Sequence, residues 1–282
     1  MIGVITDALQ YAFMRHALAA GLLVSVACGI IGTFVVVKRI VFVSGGVAHA
    51  AYGGIGLGYF LGVNPVLGAI VFSLAAAVGM GLVQRKTRER ADTLIGVMWA
   101  IGMALGIIFV DLTEGYKADL MSYLFGSILA VPISDLIIML VLDAVIIAVV
   151  VLFYKELLAV AFDEVFATVE GVPVTAIYLL LMAMIALTVV MVMRVVGLIL
   201  VIALLTMPAA ISARFVKGIR KMMVMSCALG AVFMIAGLWL SYVLDLTSGA
   251  TIILFSGAAY LLSMALPPLI RGARAAGKAV QG

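Results

Sequence analysis

Residues 42–64 read FVSGGVAHAAYGGIGLGYFLGVN, and the fold turns on them. The stretch is apolar, carries seven glycines, and has one titratable group in its interior, His49. An imidazole at membrane depth is costly, and groups that bear that cost line a path or a site. Gly54, Gly58 and Gly62 fall four apart, so on a helix they make a smooth ridge that a second helix can approach closely. Gly45 and Gly46 lie one turn from His49 on adjoining faces. The stretch predicts a thin-walled helix that carries a ligand or proton group into the centre of a membrane bundle.

The rest of the chain supplies that bundle. Its 282 residues are 67% hydrophobic and 11% charged, with a mean hydropathy of +1.37. A soluble domain is about 45–50% apolar and about 25% charged. The chain therefore reads as all-α, a single polytopic transmembrane helical bundle over residues 1–282. The 29 glycines and 17 methionines suit close-packed helices. Cys28 and Cys227 both sit in apolar runs without a CxxC pattern, as small core residues rather than a disulfide framework. Residues 1–11 lack the basic start of a cleavable signal peptide and run directly into a full-length span.

A span needs about 20 apolar residues. Such segments occur near 13–37, around His49, and near 66–84, 93–110, 135–153, 174–193, 195–212, 223–244 and 249–266. Eight or nine spans result. Residues 1–11 are expected as an interfacial helix and 111–119 as an outer loop. Residues 120–131 are apolar but too short to span, and are expected as a re-entrant half-helix closed by Pro132.

Nine alternating spans gather 14 of the 17 Lys and Arg on one side. These are Lys38, Arg39, Arg85, Lys86, Arg88, Arg90, Lys155, Arg214, Lys217, Arg220, Lys221, Arg271, Arg274 and Lys278. Basic loops face the cytoplasm, which puts the N-terminus outside and the C-terminus inside a cell (inner or plasma) membrane. The net charge of +4 follows from those loops and does not mark nucleic-acid binding.

The longest polar interval, 155–173, lies on the basic side. Its apolar positions recur at close to helical spacing, with acids at 156, 163, 164 and 170. An amphipathic helix along the cytoplasmic face is expected, either a plain surface link or an element that docks in a partner's groove. In the second case Phe162 and Phe166 anchor it, with Asp163 and Glu164 on the rim. The chain has no Gly-x-x-x-x-Gly-Lys-Ser/Thr phosphate loop, so nucleotide power must come from another chain. No acid pair, Ser-His-Asp set or zincin spacing occurs either, so no enzyme is expected.

Four motifs in order resemble the integral-membrane permeases of the zinc, manganese and iron ABC importer family. Lys38-Arg39 followed by Gly45-Gly46-Val47-Ala48-His49-Ala50 is similar to that family's basic pair and Gly-Asp-Ala-x-Ser-His-Ala run. Glu156-Leu157-Leu158, Phe162-Asp163-Glu164-Val165-Phe166-Ala167 and Gly171-Val172-Pro173 resemble its cytoplasmic segment. Residues 196–210, VGLILVIALLTMPAA, resemble a third motif, and Ser241-Tyr242, Asp245 and Ser248-Gly249-Ala250 the closing one.

The resemblance implies a homodimeric permease, an ABC ATPase subunit beneath it and an extracytoplasmic metal-binding protein above. It implies that 155–173, including Gly171, couples to the ATPase and that His49 helps coordinate the ion in transit. The cargo would be a divalent zinc, manganese or iron ion, bound transiently, with no resident cofactor. The chain departs from the family where Gly46 stands for the acid near the histidine, which removes a negative charge from the pocket. Asp245 at an outer helix end can supply a carboxylate in its place. Asp143, mid-span without a local cation, is expected either to line a pathway or to hydrogen-bond between helices. Two rival readings remain: an ABC permease for a metal chelate, and a proton-coupled secondary carrier with Asp143 and His49 as its relay.

Overall fold

The computed structural model describes residues 10–87, 91–113, 126 and 128–279; beyond residue 265 only the backbone is described. The long helices are α1 (Ala12–Val37), α2 (Val41–Phe60), α3 (Pro65–Lys86), α4 (Ala91–Asp111) and α5 (Ile133–Leu152). Two short helices follow, α6 (Tyr154–Phe162) and α7 (Glu164–Val169). Then come α8 (Val174–Val196), α9 (Leu198–Phe215), α10 (Ile219–Leu244) and α11 (Ser248–Ala279). Among the described residues no strand occurs, and eight helices are long and apolar enough to cross a membrane. The chain is a multi-pass membrane protein.

α2 is not among those eight, because its histidine, tyrosines and glycines dilute its apolar character. At 20 residues it is about 30 Å long, the thickness of a hydrocarbon core. It sits inside the bundle, packed along α3 and α4 and touching α8 and α9. Protein rather than lipid surrounds it, and a helix so placed does not need a fully apolar surface. α1, α8 and α9 share this central position, while α3, α4, α5, α10 and α11 leave broad faces for the bilayer.

Glycine makes the enclosure possible. A Cβ built on Gly54 would lie 2.3 Å from the Gly68 carbonyl oxygen, and one on Gly58 would lie 2.6 Å from the Pro65 Cα. On the neighbouring face, a Cβ on Gly56 would lie 2.3 Å from the Gly106 carbonyl oxygen. Backbones therefore touch on both sides of α2. Gly62 does not extend the ridge as the four-residue spacing predicts. It has φ +67° beyond the helix end, with its N–H on the Tyr59 carbonyl and the Val63 N–H on the Gly58 carbonyl. That is a Schellman terminator, which suits a residue without a Cβ.

The 155–173 segment is two helices rather than one. Asp163 is extended (φ −147°, ψ 104°), and its carboxylate accepts the N–H groups of Val165 at 2.9 Å and Phe166 at 3.0 Å. An N-cap bond of this kind restarts a helix instead of continuing one. The last helix continues through Pro267-Pro268 to Ala279 instead of stopping there. The re-entrant expectation for 120–131 falls mostly outside the described residues. What is described is one 3-10 turn, Ile128–Ala130. The expectations for 1–11 and 111–119 also fall largely outside them.

Candidate functional site

His49 is buried in the middle of α2. Its Nδ1 lies 2.8 Å from the Gly45 carbonyl oxygen, one turn back. A carbonyl only accepts, so Nδ1 carries the proton, and in the neutral ring Nε2 holds the free lone pair. No hydrogen bond from the described residues reaches Nε2. The ring stacks on Trp99 of α4, with centroids 3.6 Å apart and planes 23° apart. The imidazole is thus fixed at one nitrogen and one face, with its other nitrogen available as a ligand. A backbone carbonyl on the distal nitrogen is the usual orienting contact behind a metal-binding histidine.

Counting back from His49, the family motif spaces its acid four residues before the histidine. That position is Gly45, not Gly46. The two glycines face different walls. A Cβ on Gly45 would lie 3.3 Å from Ile202 Cδ1 and 3.4 Å from Trp99, on the side where the ring stacks. A Cβ on Gly46 would lie 3.0 Å from Ile95 Cγ2, against α4. The missing acid therefore leaves the His49 side of the helix without a carboxylate.

The other two pathway candidates are not brought to His49. Asp143 is buried on α5, which packs on α1 and not along α2, and neither carboxylate oxygen has a hydrogen-bond partner among the described residues. Asp245 is exposed, with φ 52°, at the end of α10. Among the described residues no cluster of three or more His, Cys, Asp or Glu is close enough to hold one ion.

A second constellation forms at the basic end. Glu164, the first residue of α7, pairs with Lys38 at the end of α1 and with Arg85 at the end of α3, the latter at 3.0 Å. Lys38 Nζ also donates to the Val160 carbonyl oxygen at 2.7 Å. Tyr178 of α8 underlies both cations, 5.5 Å from Lys38 Nζ and 4.7 Å from the Arg85 guanidinium carbon, and its hydroxyl donates to Gln84 at 2.8 Å. These groups line a polar pocket of about 400 Å³. One acid thus ties the 155–173 segment to two helix ends. Phe162 and Phe166 project outward, 68% and 57% exposed, beside exposed Val165 and Val169. Gly171 has φ +79° and terminates α7, with its N–H on the Thr168 carbonyl and the Val172 N–H on the Ala167 carbonyl.

Sequence reasoning missed Trp99, Tyr178 and the Lys38–Glu164–Arg85 grouping. The acid at 164 amid basic helix ends was a usable signal for the last; nothing in the order of residues pairs 49 with 99. It also missed the pairing of Arg194 of α8 with Asp135 of α5 at 3.1 Å.

Residues 10–267 match the model of the ABC 3 transport family. An uncharacterised membrane protein of Synechocystis sp. is 59% identical, over 94% of each chain. The manganese transport system membrane protein MntC of Listeria monocytogenes is 35% identical, over 92% of each. Among solved structures, PsaBC from Streptococcus pneumoniae in complex with Fab superposes with a TM-score of 0.84 at 32% identity, covering 93% of this chain and 95% of that one. The glycine-walled helix with its single histidine, the broken acidic segment beneath it and a match over nearly the whole chain agree: the protein belongs to the ABC 3 transport family of membrane permeases.

Proposed function

We propose that this chain is the permease subunit of an ATP-driven importer for a divalent transition-metal ion (manganese, zinc or iron), working by alternating access. The observation that carries the reading is the free Nε2 of His49, on a ring held by Gly45 and Trp99 inside the bundle. Imidazole nitrogen suits all three metals. The Listeria relative's name, a manganese transport system membrane protein, supports a metal cargo.

The chain works as a homodimer in the lipid bilayer, with its N-terminus outside and its C-terminus in the cytoplasm. An extracytoplasmic metal-binding protein delivers the ion. An ABC ATPase grips the exposed Phe162 and Phe166. Movement of that grip reaches the pathway by a short route. Glu164 and the Val160 carbonyl hold Lys38, which stands three residues before α2 begins. Between them Arg39 takes φ 59°, a strained conformation for a residue with a side chain. His49 follows about 12 Å further along α2. Pulling on α7 therefore loads the joint from which the histidine's helix is hung.

Two rivals find less support. A chelate carrier would use the glycine ridge to widen a path, but here the ridge is occupied by the backbones of α3 and α4. A proton relay through Asp143 and His49 would need the two helices in contact, and α5 does not pack along α2. The test is uptake of manganese, zinc and iron by vesicles containing permease and ATPase, with wild type compared to His49→Ala. The variant should assemble and hydrolyse ATP while import drops. Unchanged uptake of all three ions would remove His49 from the pathway.

A further inference from the structure

A groove of about 590 Å³, with no α2 residue in its lining, runs between α5–α6 and α10, with α1 as its floor. Its walls are apolar, with Ile147 and Val151 on one side, Val224 on the other and Ile30 beneath. It spans Ile147 to Tyr154 along one wall, seven residues or about 10 Å. At its basic end stand Tyr154 and Arg220, the guanidinium 4.6 Å from the ring. No acid among the described residues pairs with Arg220. Lys217 and Lys221 flank it in sequence.

We infer that this groove is a binding site for an anionic phospholipid of the surrounding bilayer. An acyl chain lies along Ile147, Val151 and Val224, and the phosphate meets Arg220. Three observations select this occupant. The groove opens on faces that the bilayer bathes, with Val151 and Val224 both more than 70% exposed. Its polarity changes once, from apolar along its length to cationic at the helix ends, which is the order of chain and headgroup in a lipid leaflet. A second copy of this chain is the poorer fit. A two-fold contact through the groove would bring two Arg220 side chains to one mouth, and no acid among the described residues lines it.

Phosphate contact with a basic residue at a membrane surface is modest, so selectivity for an anionic over a zwitterionic lipid should be about fivefold. The full-length permease is purified in mild detergent and exchanged into mixtures of phosphatidylglycerol and phosphatidylcholine. Native mass spectrometry then counts retained lipid. Wild type should retain phosphatidylglycerol over phosphatidylcholine by about that factor, and Arg220→Ala should abolish the preference. Val224→Trp, on an exposed wall position, should displace both lipids. Thermal melting of each variant checks the fold. Equal retention of the two lipids by wild type overturns the inference, as does a preference that survives Arg220→Ala. A disulfide cross-link formed between two Val224→Cys copies in membranes assigns the groove to the dimer interface and overturns it as well.

Discussion

Around His49 the bundle is held by glycines; around Glu164 it is held by charges. At the first place, backbone meets backbone across α2, and a Cβ at several positions would overlap a neighbour's carbonyl or Cα. Such contacts have no adjustable parts. At the second, one carboxylate, 41% exposed, faces two long cationic side chains over a tyrosine ring. Those side chains can lengthen, swing and re-form. Under the proposed function the contrast separates two mechanical tasks. The helix that carries the ligand must keep its position relative to α3 and α4. The joint that receives the stroke must yield without unfolding.

That contrast can be broken most severely at the glycine ridge. In Gly54→Leu the new side chain would begin 2.3 Å from the Gly68 carbonyl oxygen, where only backbone can move. Overpacking of a tight interior costs about 1–3 kcal/mol even where side chains can shift. The expected result is loss of folded permease, read by size-exclusion chromatography and melting. Gly79→Ala, in α3 with no atom within 4 Å, should be neutral or more stable by up to about 1 kcal/mol. Tolerance of leucine at 54 would show that the ridge does not seat α2.

At the charged end the expected effect is large on function and small on stability. Glu164→Gln keeps the shape but removes the charge that Lys38 and Arg85 share. Bonds to charged groups contribute about 1.5–3 kcal/mol, and solvent at the half-open carboxylate reduces that. Import should fall about tenfold while the melting temperature shifts by only a few degrees. Equal import would mean that the stroke takes another route.

The two regions meet in a third variant. Gly45→Asp places a carboxylate one turn from His49, on the side where the ring stacks, and its nearest obstacle is the movable tip of Ile202. Manganese favours oxygen donors, so metal retained by the purified permease should rise about tenfold by elemental analysis. Unaltered retention would place the ion elsewhere. The smallest effect is expected from Asp163→Ala, which removes the cap of α7 at a cost of about 1 kcal/mol. Hydrogen exchange at the Val165 and Phe166 amides should quicken, and Asp163→Asn should restore it.

The membrane architecture, the spans and the buried histidine were legible because hydropathy and glycine spacing are local properties. The break at Asp163 was legible in principle, since an Asp followed by an acid in the first turn is a helix-start signal, but helical periodicity across 155–173 masked it. Glu164 was read as a rim residue for a partner. Its pairing with Lys38 and Arg85 depends on three helix ends arriving together, and no window of sequence contains that.

By itself the sequence determined that the chain enters a bilayer, roughly where its long spans lie, and that one imidazole sits at depth with no acid in the four residues before it. Composition and periodicity act over a single turn or a single span, and the cost of dehydrating a backbone does the rest. Only the tertiary structure decided what faces that imidazole, which glycines are ridge and which are terminator, and that Glu164 holds the joint of α1 and α2. The His49–Trp99 and Lys38–Glu164 contacts join residues 50 and 126 positions apart, and they follow from how helices pack once lipid has made them form.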